Sequence, residues 1–406
     1  MREVFYNCPD KCKGCNEGHQ ALDRGRKRVA RPGIKSPDFP FTPGACFGRG
    51  MLERWIAMER FIEVRGTHRQ MGRSLGEAFQ ELTAASVDHV LSELGDKMSP
   101  AKAREKATQY LPFIEETTPH LIEEITGLSE GAGLPLEDIL LLQLRFEVIG
   151  YEGGVEGCSS LVLRSGQARV TGQNVDTTPF HVDAGIAVKM NPDDGPAFAM
   201  YTYYPGLLGY IGMNEWGMTV FGNAVLAGGW RVGFPRYFLF RLALEQRTVA
   251  EAEKKIRALH RASCLNMLLT DNVGDVADLE VTARRVATIR PEGSFFHSNH
   301  FISPELRDSE KLLPLIPDSE WRLQRGNELV NAKDLNGDSD LLALARAILR
   351  DHGNPPSSIC RHKAEKSVYG TDQWMSVASV IAEPEEQRIH VAFGNPCENH
   401  YNIVDL

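Results

Sequence analysis

The chain has 406 residues, 42% of them apolar and 24% charged, with a formal net charge of −9; this is the balance of a globular protein with room for one large domain or two ordinary ones. The acidic balance excludes a protein that coats nucleic acid, because neutralising phosphates takes clustered Lys and Arg. No apolar run approaches the roughly 20 residues of a membrane span, the opening MREVFYNCPDKCKGC lacks the apolar heart of a secretory signal, and eight cysteines scattered along the chain point to a reducing cytoplasm rather than a disulfide framework.

Residues 1–57 stand apart. Up to residue 50 they hold ten Lys/Arg against five Asp/Glu, and four of the eight cysteines. Cys8, Cys12 and Cys15 follow a C-x3-C-x2-C spacing, with His19 and Cys46 nearby. Thiolates so spaced on a tight turn converge on one point and can hold a metal or an iron–sulfur cluster, so a metal-binding module is one function this segment allows. The plainer reading is a flexible basic extension, or a start codon upstream of the true one at Met51 or Met58.

From Met58 the pattern becomes that of a folded domain. FIEVRGTHRQMGRSLGEAF reads as a short strand, a turn at Gly66 and a helix. Apolar residues at three- and four-residue spacing predict helices over 76–94 and 100–127, ended by Gly131 and Gly133. LPLEDILLLQLRFEVIG (134–150) restarts a helix with Pro135 in its first turn. The segment 58–157 is therefore mainly helical. From residue 158 to 406 the texture turns to strands. SSLVLRSGQARVTGQNVD is two apolar runs joined at Ser165-Gly166, a hairpin signal. IAVKM, FAMYTYY, LGYIGMN and GMTVFGNA continue as strands, 235–260 reads as a helix, and LNMLLTD, VADLEVT, RRVATIR and FFHSNHF return to strands. Helix resumes over 318–352, and SVASVIAE and RIHVAFG close the chain around a Pro384 turn. Helical blocks alternating with antiparallel strands predict an α+β fold of stacked sheet and helix layers.

The chemistry centres on Glu156-Gly157-Cys158-Ser159-Ser160, directly before the first of these strands. By residue type alone Cys158 would be a small buried hydrophobe. Gly157, however, permits a strained Gly–Cys peptide. The Cys158 thiol could then attack the Gly157 carbonyl, shift the acyl group from nitrogen to sulfur and let water release it. Ser160 follows on the same strand face, where its hydroxyl could assist. Cleavage between Gly157 and Cys158 would free an α-amino group with a pKa of about 7.7–8.0, suited to act as general base for its own thiol. The thiolate would form an acyl-enzyme with an amide or thioester carbonyl. No cofactor is called for.

With these residues in view, GCSSLVLRSGQARVTGQNVD resembles the peptidase C45 family, the acyl-CoA:isopenicillin N (6-aminopenicillanic acid) acyltransferase group of N-terminal-nucleophile (Ntn) hydrolases. The likeness runs on through GYIGMNEWGMTVFGNAV, FHSNHF, PDSEWRLQR, DHGNPPSSICRH and VAFGNPC, over roughly residues 58–400. It implies a four-layer αββα sandwich, made as one precursor and self-cleaved into a helix-rich α chain (58–157) and a larger β chain (158–406). It matches Cys158 to the nucleophile, Asp176 to the carboxylate that orients amine and thiol, and Asn299 and Asn223 to oxyanion-stabilising amides. Such donors are worth about 10²–10³ in rate each. Ser160 takes the place of a hydroxyl residue two after the nucleophile. One position departs: Gln373 stands where the penicillin enzyme has an arginine near the active-site Asp, so either that role is absent or another cation fills it.

The resemblance implies an amidohydrolase that cleaves a linear C–N amide, such as an N-acyl amino acid or acylated amine, through an acyl-cysteine. The alternative is an acyl-CoA-dependent N-acyltransferase. The partner expected is a small-molecule amide, with the two fragments staying associated, neither nucleic acid nor membrane bound, and a homo-oligomer left open. His300, next to Asn299, is expected to be a structural hydrogen-bonding residue, since successive strand residues face opposite ways. Cys264, Cys360 and Cys397 are expected to be buried thiols. Tyr201, Tyr203, Tyr204, Tyr210, Trp216 and Trp230 are expected to serve core packing, some of them lining an acyl pocket.

Overall fold

In the computed structural model, which describes residues 60–150, 157–166, 168–332, 340–363 and 373–406, strand β1 (Phe61–Gly66) opens the domain and ends at Gly66, whose φ is 113°. Thr67 then starts α1 (His68–Ala78) with a capping box: its side chain accepts from Gln70 N while the Gln70 side chain accepts from Thr67 N. The extension with Cys8, Cys12 and Cys15 lies outside the described residues.

The helical segment is more broken than its apolar spacing predicts. After α2 (Gln80–Glu93), the stretch expected as one helix over 100–127 is three: α3 (Pro100–Thr108), α4 (Leu111–Thr117) and α5 (Pro119–Ala132). Pro112 and Pro119 sit in first turns, where a missing N–H is harmless but continuation of the preceding helix is blocked. Helix α5 runs through Gly131 and stops at Gly133, a left-handed cap. It packs face to face on α1 because Gly72 and Gly127 carry no side chain: a Cβ on Gly72 would lie 2.0 Å from the Glu124 carbonyl oxygen. Helix α6 (Leu136–Ile149) completes this layer.

Strands β2 (Gly157–Ser165) and β3 (Ala168–Thr177) form the expected hairpin, in register from Gly157↔Asp176 to Ser165↔Ala168. A short helix, α7 (Phe180–Ala184), leads to β4 (Ile186–Pro192), β5 (Phe198–Thr202), β6 (Ile211–Asn214) and β7 (Thr219–Phe221). The helix expected over 235–260 is two, α8 (Arg236–Leu244) and α9 (Val249–Ala258), because Thr248 and Glu251 form a second capping box. Strands β8 (Leu265–Thr270), β9 (Val276–Val281), β10 (Val286–Ile289) and β11 (Phe295–His297) follow. Helices α10 (Asp318–Asn331) and α11 (Leu341–Leu349) precede β12 (Met375–Glu383), β13 (Arg388–Phe393) and β14 (Asn402–Asp405).

The strands make two sheets, one ordered β1-β4-β5-β6-β7-β8-β9-β10 and one ordered β11-β2-β3-β12-β13-β14. The sheets face each other where β3 meets β7, β12 meets β6 and β13 meets β5. Helices α1, α8 and α9 cover the outer face of the first sheet, and α10 and α11 that of the second. This is the four-layer αββα sandwich that the resemblance implies. Tyr201, Tyr203, Tyr204 and Tyr210 are buried in its main core, while Trp216 and Trp230 are only half-buried. No helix among the described residues is long and apolar enough to cross a membrane.

Candidate active site

The hairpin sets the spacing of the site. Because β2 and β3 pair antiparallel with Gly157 opposite Asp176, the residue eighteen positions after Cys158 lies beside the peptide that precedes it. Side chains alternate across the strand. Gly157, Ser159, Leu161 and Leu163 face α10 and α11, whereas Cys158, Ser160 and Val162 face the opposite sheet. Cys158 is buried.

Both backbone groups of Cys158 are held by side chains. Its N–H donates to Asn299 Oδ1 at 2.9 Å, and its carbonyl accepts from Arg322 Nη1 at 2.7 Å. The same guanidinium donates to Ser159 Oγ at 3.1 Å, Asn299 Oδ1 at 2.8 Å and Asp318 Oδ2 at 2.8 Å. Asn299 is oriented by its neighbours, since its oxygen meets two donors while its Nδ2 donates to Ala224 O at 3.0 Å. Asn299 therefore turns its acceptor to the Cys158 nitrogen, and the amide expected to donate to an oxyanion gives an N–H to Ala224 O instead. Asn223 Oδ1 accepts from Ser160 Oγ at 2.6 Å, and its Nδ2 makes only a long 3.5 Å contact to His297 O.

Asp176 sits on the helix-facing side with Gly157. A Cβ on that glycine would be 3.2 Å from Asp176 Cβ and 3.5 Å from Trp374, so the site accepts glycine there and little else without adjustment. Ser376 Oγ donates to Asp176 Oδ1 at 2.7 Å, and Arg361 Nε stands 3.9 Å from Oδ2. Arg361 also pairs with Asp318 through Nη2. The cations beside Asp176 are Arg361 and Arg322, and Gln373 is exposed. Burial pushes the Asp176 carboxyl above its usual range despite both arginines, whereas at Asp318 the same two arginines outweigh burial and hold the carboxyl down. Asp318, Ser319, Arg322, Arg361 and Ser376 are the site residues that sequence reasoning did not single out, although PDSEWRLQR and DHGNPPSSICRH contain four of them.

FFHSNHF is a strand only through His297, so alternation does not separate Asn299 from His300. Asn299 N and His300 Nδ1 both bond Ser319 Oγ, at 2.7 Å each. Burial, with His297 and Arg322 close by, drives the His300 imidazole down to about 4. It is neutral at pH 7 and held as a structural partner. Cys264 and Cys360 are buried as expected, but Cys397 is exposed, because it lies in the loop between β13 and β14.

His297, opposite Ser160 on β11, lies 3.2 Å from Glu280 and 3.7 Å from Asp278. Burial opposes its charge, but Asp278 and Glu280 prevail and raise it from 6.5 to about 9. A raised folded-state value means the stabilisation is complete below the unfolded value and disappears as the pH rises through the folded one. The expected result is a melting-temperature gap between the wild type and His297→Gln that is widest near pH 6.5 and closes as the pH passes about 9. Thermal melts of both proteins across that range check it.

Residues 163–398 match the family described as acyl-coenzyme A:6-aminopenicillanic acid acyl-transferase. The chain is 25% identical over 345 residues to the acyl-coenzyme A:6-aminopenicillanic-acid-acyltransferase 40 kDa form of Emericella nidulans, covering 82% of this chain and 92% of that one. Among solved structures, it is similar to a mutant of conjugated bile acid hydrolase from Clostridium perfringens, at 14% identity and a TM-score of 0.43, over 61% of this chain and 92% of that one. Penicillin V acylase from Agrobacterium tumefaciens is similar at 11% identity and a TM-score of 0.45, over 61% and 86% respectively.

Proposed function

Since the chain belongs to the acyl-coenzyme A:6-aminopenicillanic acid acyl-transferase family, and is thereby an enzyme acting on amides through acyl transfer, we propose that it cuts itself before Cys158 and then hydrolyses a linear small-molecule amide through an acyl-cysteine. The observation that carries this reading is the clamp on Cys158, whose N–H bonds Asn299 Oδ1 and whose carbonyl bonds Arg322. It holds the nitrogen that becomes the amine in place before the cut is made.

In the first step the Cys158 thiol adds to the Gly157 carbonyl, the C–N bond breaks, and the nitrogen leaves as the amine while the acyl group passes to sulfur. Water then hydrolyses the thioester, which leaves the Gly157 carboxylate and a free Cys158 thiol. In turnover the amine takes the thiol proton, sulfur attacks the substrate carbonyl, and the departing amine carries the proton away. A water molecule attacks the acyl-cysteine, releasing the acid and restoring the thiol. Asn299 Oδ1 orients the amine, and Asn223, whose Nδ2 is only loosely bonded, is the better oxyanion donor of the two. Ser160 reaches the thiol's face under the control of Asn223. In this reading Asp176, paired opposite Gly157, orients the new amine.

The segments 58–157 and 158–406, on either side of the cut, stay together. Support comes from β1, which precedes it and pairs in parallel with β4, which follows it. Helices α1 to α6 share one core with the strands beyond. The scattered cysteines favour a reducing cytoplasm, and the acidic charge argues against a nucleic-acid partner.

Product partition tests the reaction. With an N-acyl amino acid as substrate, free acid and free amine are expected in equal amounts, and an added amine acceptor should divert only a minor part. Transfer to the acceptor from acyl-CoA, with no hydrolysis of amides, would establish the acyltransferase reading instead.

A further inference from the structure

Away from the nucleophile, four side chains bring their soft donor atoms to one point: His352, Cys360, His362 and Cys397, whose ligand atoms all lie within 4.8 Å of one another. We infer that they form a structural zinc site. Cys360 Sγ and Cys397 Sγ are 3.6 Å apart, and His352 Nε2 and His362 Nε2 are 3.1 Å apart. His362 Nε2 lies 3.2 Å from Cys397 Sγ and 3.9 Å from Cys360 Sγ. A tetrahedral zinc with bonds of about 2.3 Å to sulfur and 2.0–2.1 Å to nitrogen has edges of about 3.8 Å between sulfurs, 3.3 Å between nitrogens and 3.5 Å between the two kinds. The two mixed separations fall on either side of their edge, and the sulfur–sulfur and nitrogen–nitrogen separations are each about 0.2 Å shorter than theirs.

The hydrogen-bonding alternative is weak. His362 Nε2 can hold one proton at most, yet three donor atoms crowd it. A disulfide is no better a description, because bonded sulfurs stand about 2.05 Å apart. Two thiolates and two neutral imidazoles balance a divalent ion, and binding would release the two thiol protons to solvent. Four protein ligands close the tetrahedron and leave no open position, which is the pattern of structural rather than catalytic zinc. Glu398 Oε1, 3.8 Å from His362 Nδ1, stands where a carboxylate commonly orients a ligating histidine.

The site also has a place in the architecture. Arg361 lies between two of the ligands, and it pairs with Asp318 and approaches Asp176 at the nucleophile. Its carbonyl accepts from Asn395 Nδ2 at 2.7 Å, two residues before Cys397. Zinc would fasten the 351–363 segment to the loop after β13 and so fix the depth at which Arg361 enters the active site.

Metal analysis of the full chain, purified without chelator, should find about one zinc per chain. Cobalt(II) replacing it should show the visible bands of a tetrahedral thiolate site. Cys397→Ser and His352→Asn, both at exposed positions, should each lose the metal. A variant with Cys8, Cys12 and Cys15 all changed to Ser should keep it. Circular dichroism checks that each variant is folded; if one is not, the cobalt spectrum of the wild type and the other variant decide. Absence of metal together with absence of cobalt bands would overturn the proposal. So would zinc that persists in both site variants or departs only with Cys8, Cys12 and Cys15, or a Cys360–Cys397 disulfide in the unreduced peptide map. None of these readouts depends on catalysis.

Discussion

Purified Cys158→Ala is expected to run on a denaturing gel as one 406-residue chain, with activity lowered by about 10⁴ or more. The wild type should run as two pieces, residues 1–157 and 158–406, and sequencing of the larger should begin at Cys158. The size of the effect follows from the double role of one sulfur. Without it there is no N-to-S shift, hence no new amine, and the general base disappears together with the nucleophile. Losing either of two groups that act as a unit removes nearly the whole rate, so the effects are not additive. The fold should survive, because replacing one buried thiol by a hydrogen at the start of β2 removes little apolar contact. Wild-type protein that stays uncut and is still active would refute self-cleavage as the source of the catalyst.

What could be read in the sequence was whatever neighbours along the chain decide. The hairpin from Gly157 to Asp176 was legible because two apolar runs flank a Ser-Gly turn, and its register then puts Asp176 beside Gly157. The clamp on Cys158 was not, since Arg322 is 164 residues away from the carbonyl it holds. No local spacing records that convergence. The orientation of Asn299 was equally hidden, because its direction depends on Ala224 O and the Arg322 guanidinium, which arrive from two other elements. Helix breaks were missed for a milder reason: apolar periodicity continues across Pro112, Pro119 and Thr248, and only the cap chemistry marks the interruptions. Cys360 and Cys397 showed the same blindness, each looking like an isolated thiol until the fold brought two histidines beside them.

Arg322→Met is expected to lower stability by about 3–5 kcal/mol, the usual cost of breaking a buried ion pair from one side. Arg322 is fully buried, and its partner Asp318 would keep only Arg361. The same change should slow self-cleavage at least about tenfold, which corresponds to roughly 1.4 kcal/mol of lost positioning. Arg322 touches the Cys158 carbonyl, Ser159 Oγ and Asn299 Oδ1, so its removal frees the Cys158 carbonyl and takes away one of the two donors that orient the Asn299 oxygen bonded to the Cys158 N–H. Arg322→Lys preserves the charge but not the planar fork that reaches four acceptors, and should recover most of the stability while leaving cleavage slow. That split separates two roles. A purely structural arginine would lower the melting temperature in both variants yet leave the cleavage rate, measured well below the melt, unchanged. A positioning arginine moves the rate in both, and in Arg322→Lys it does so with the fold nearly intact.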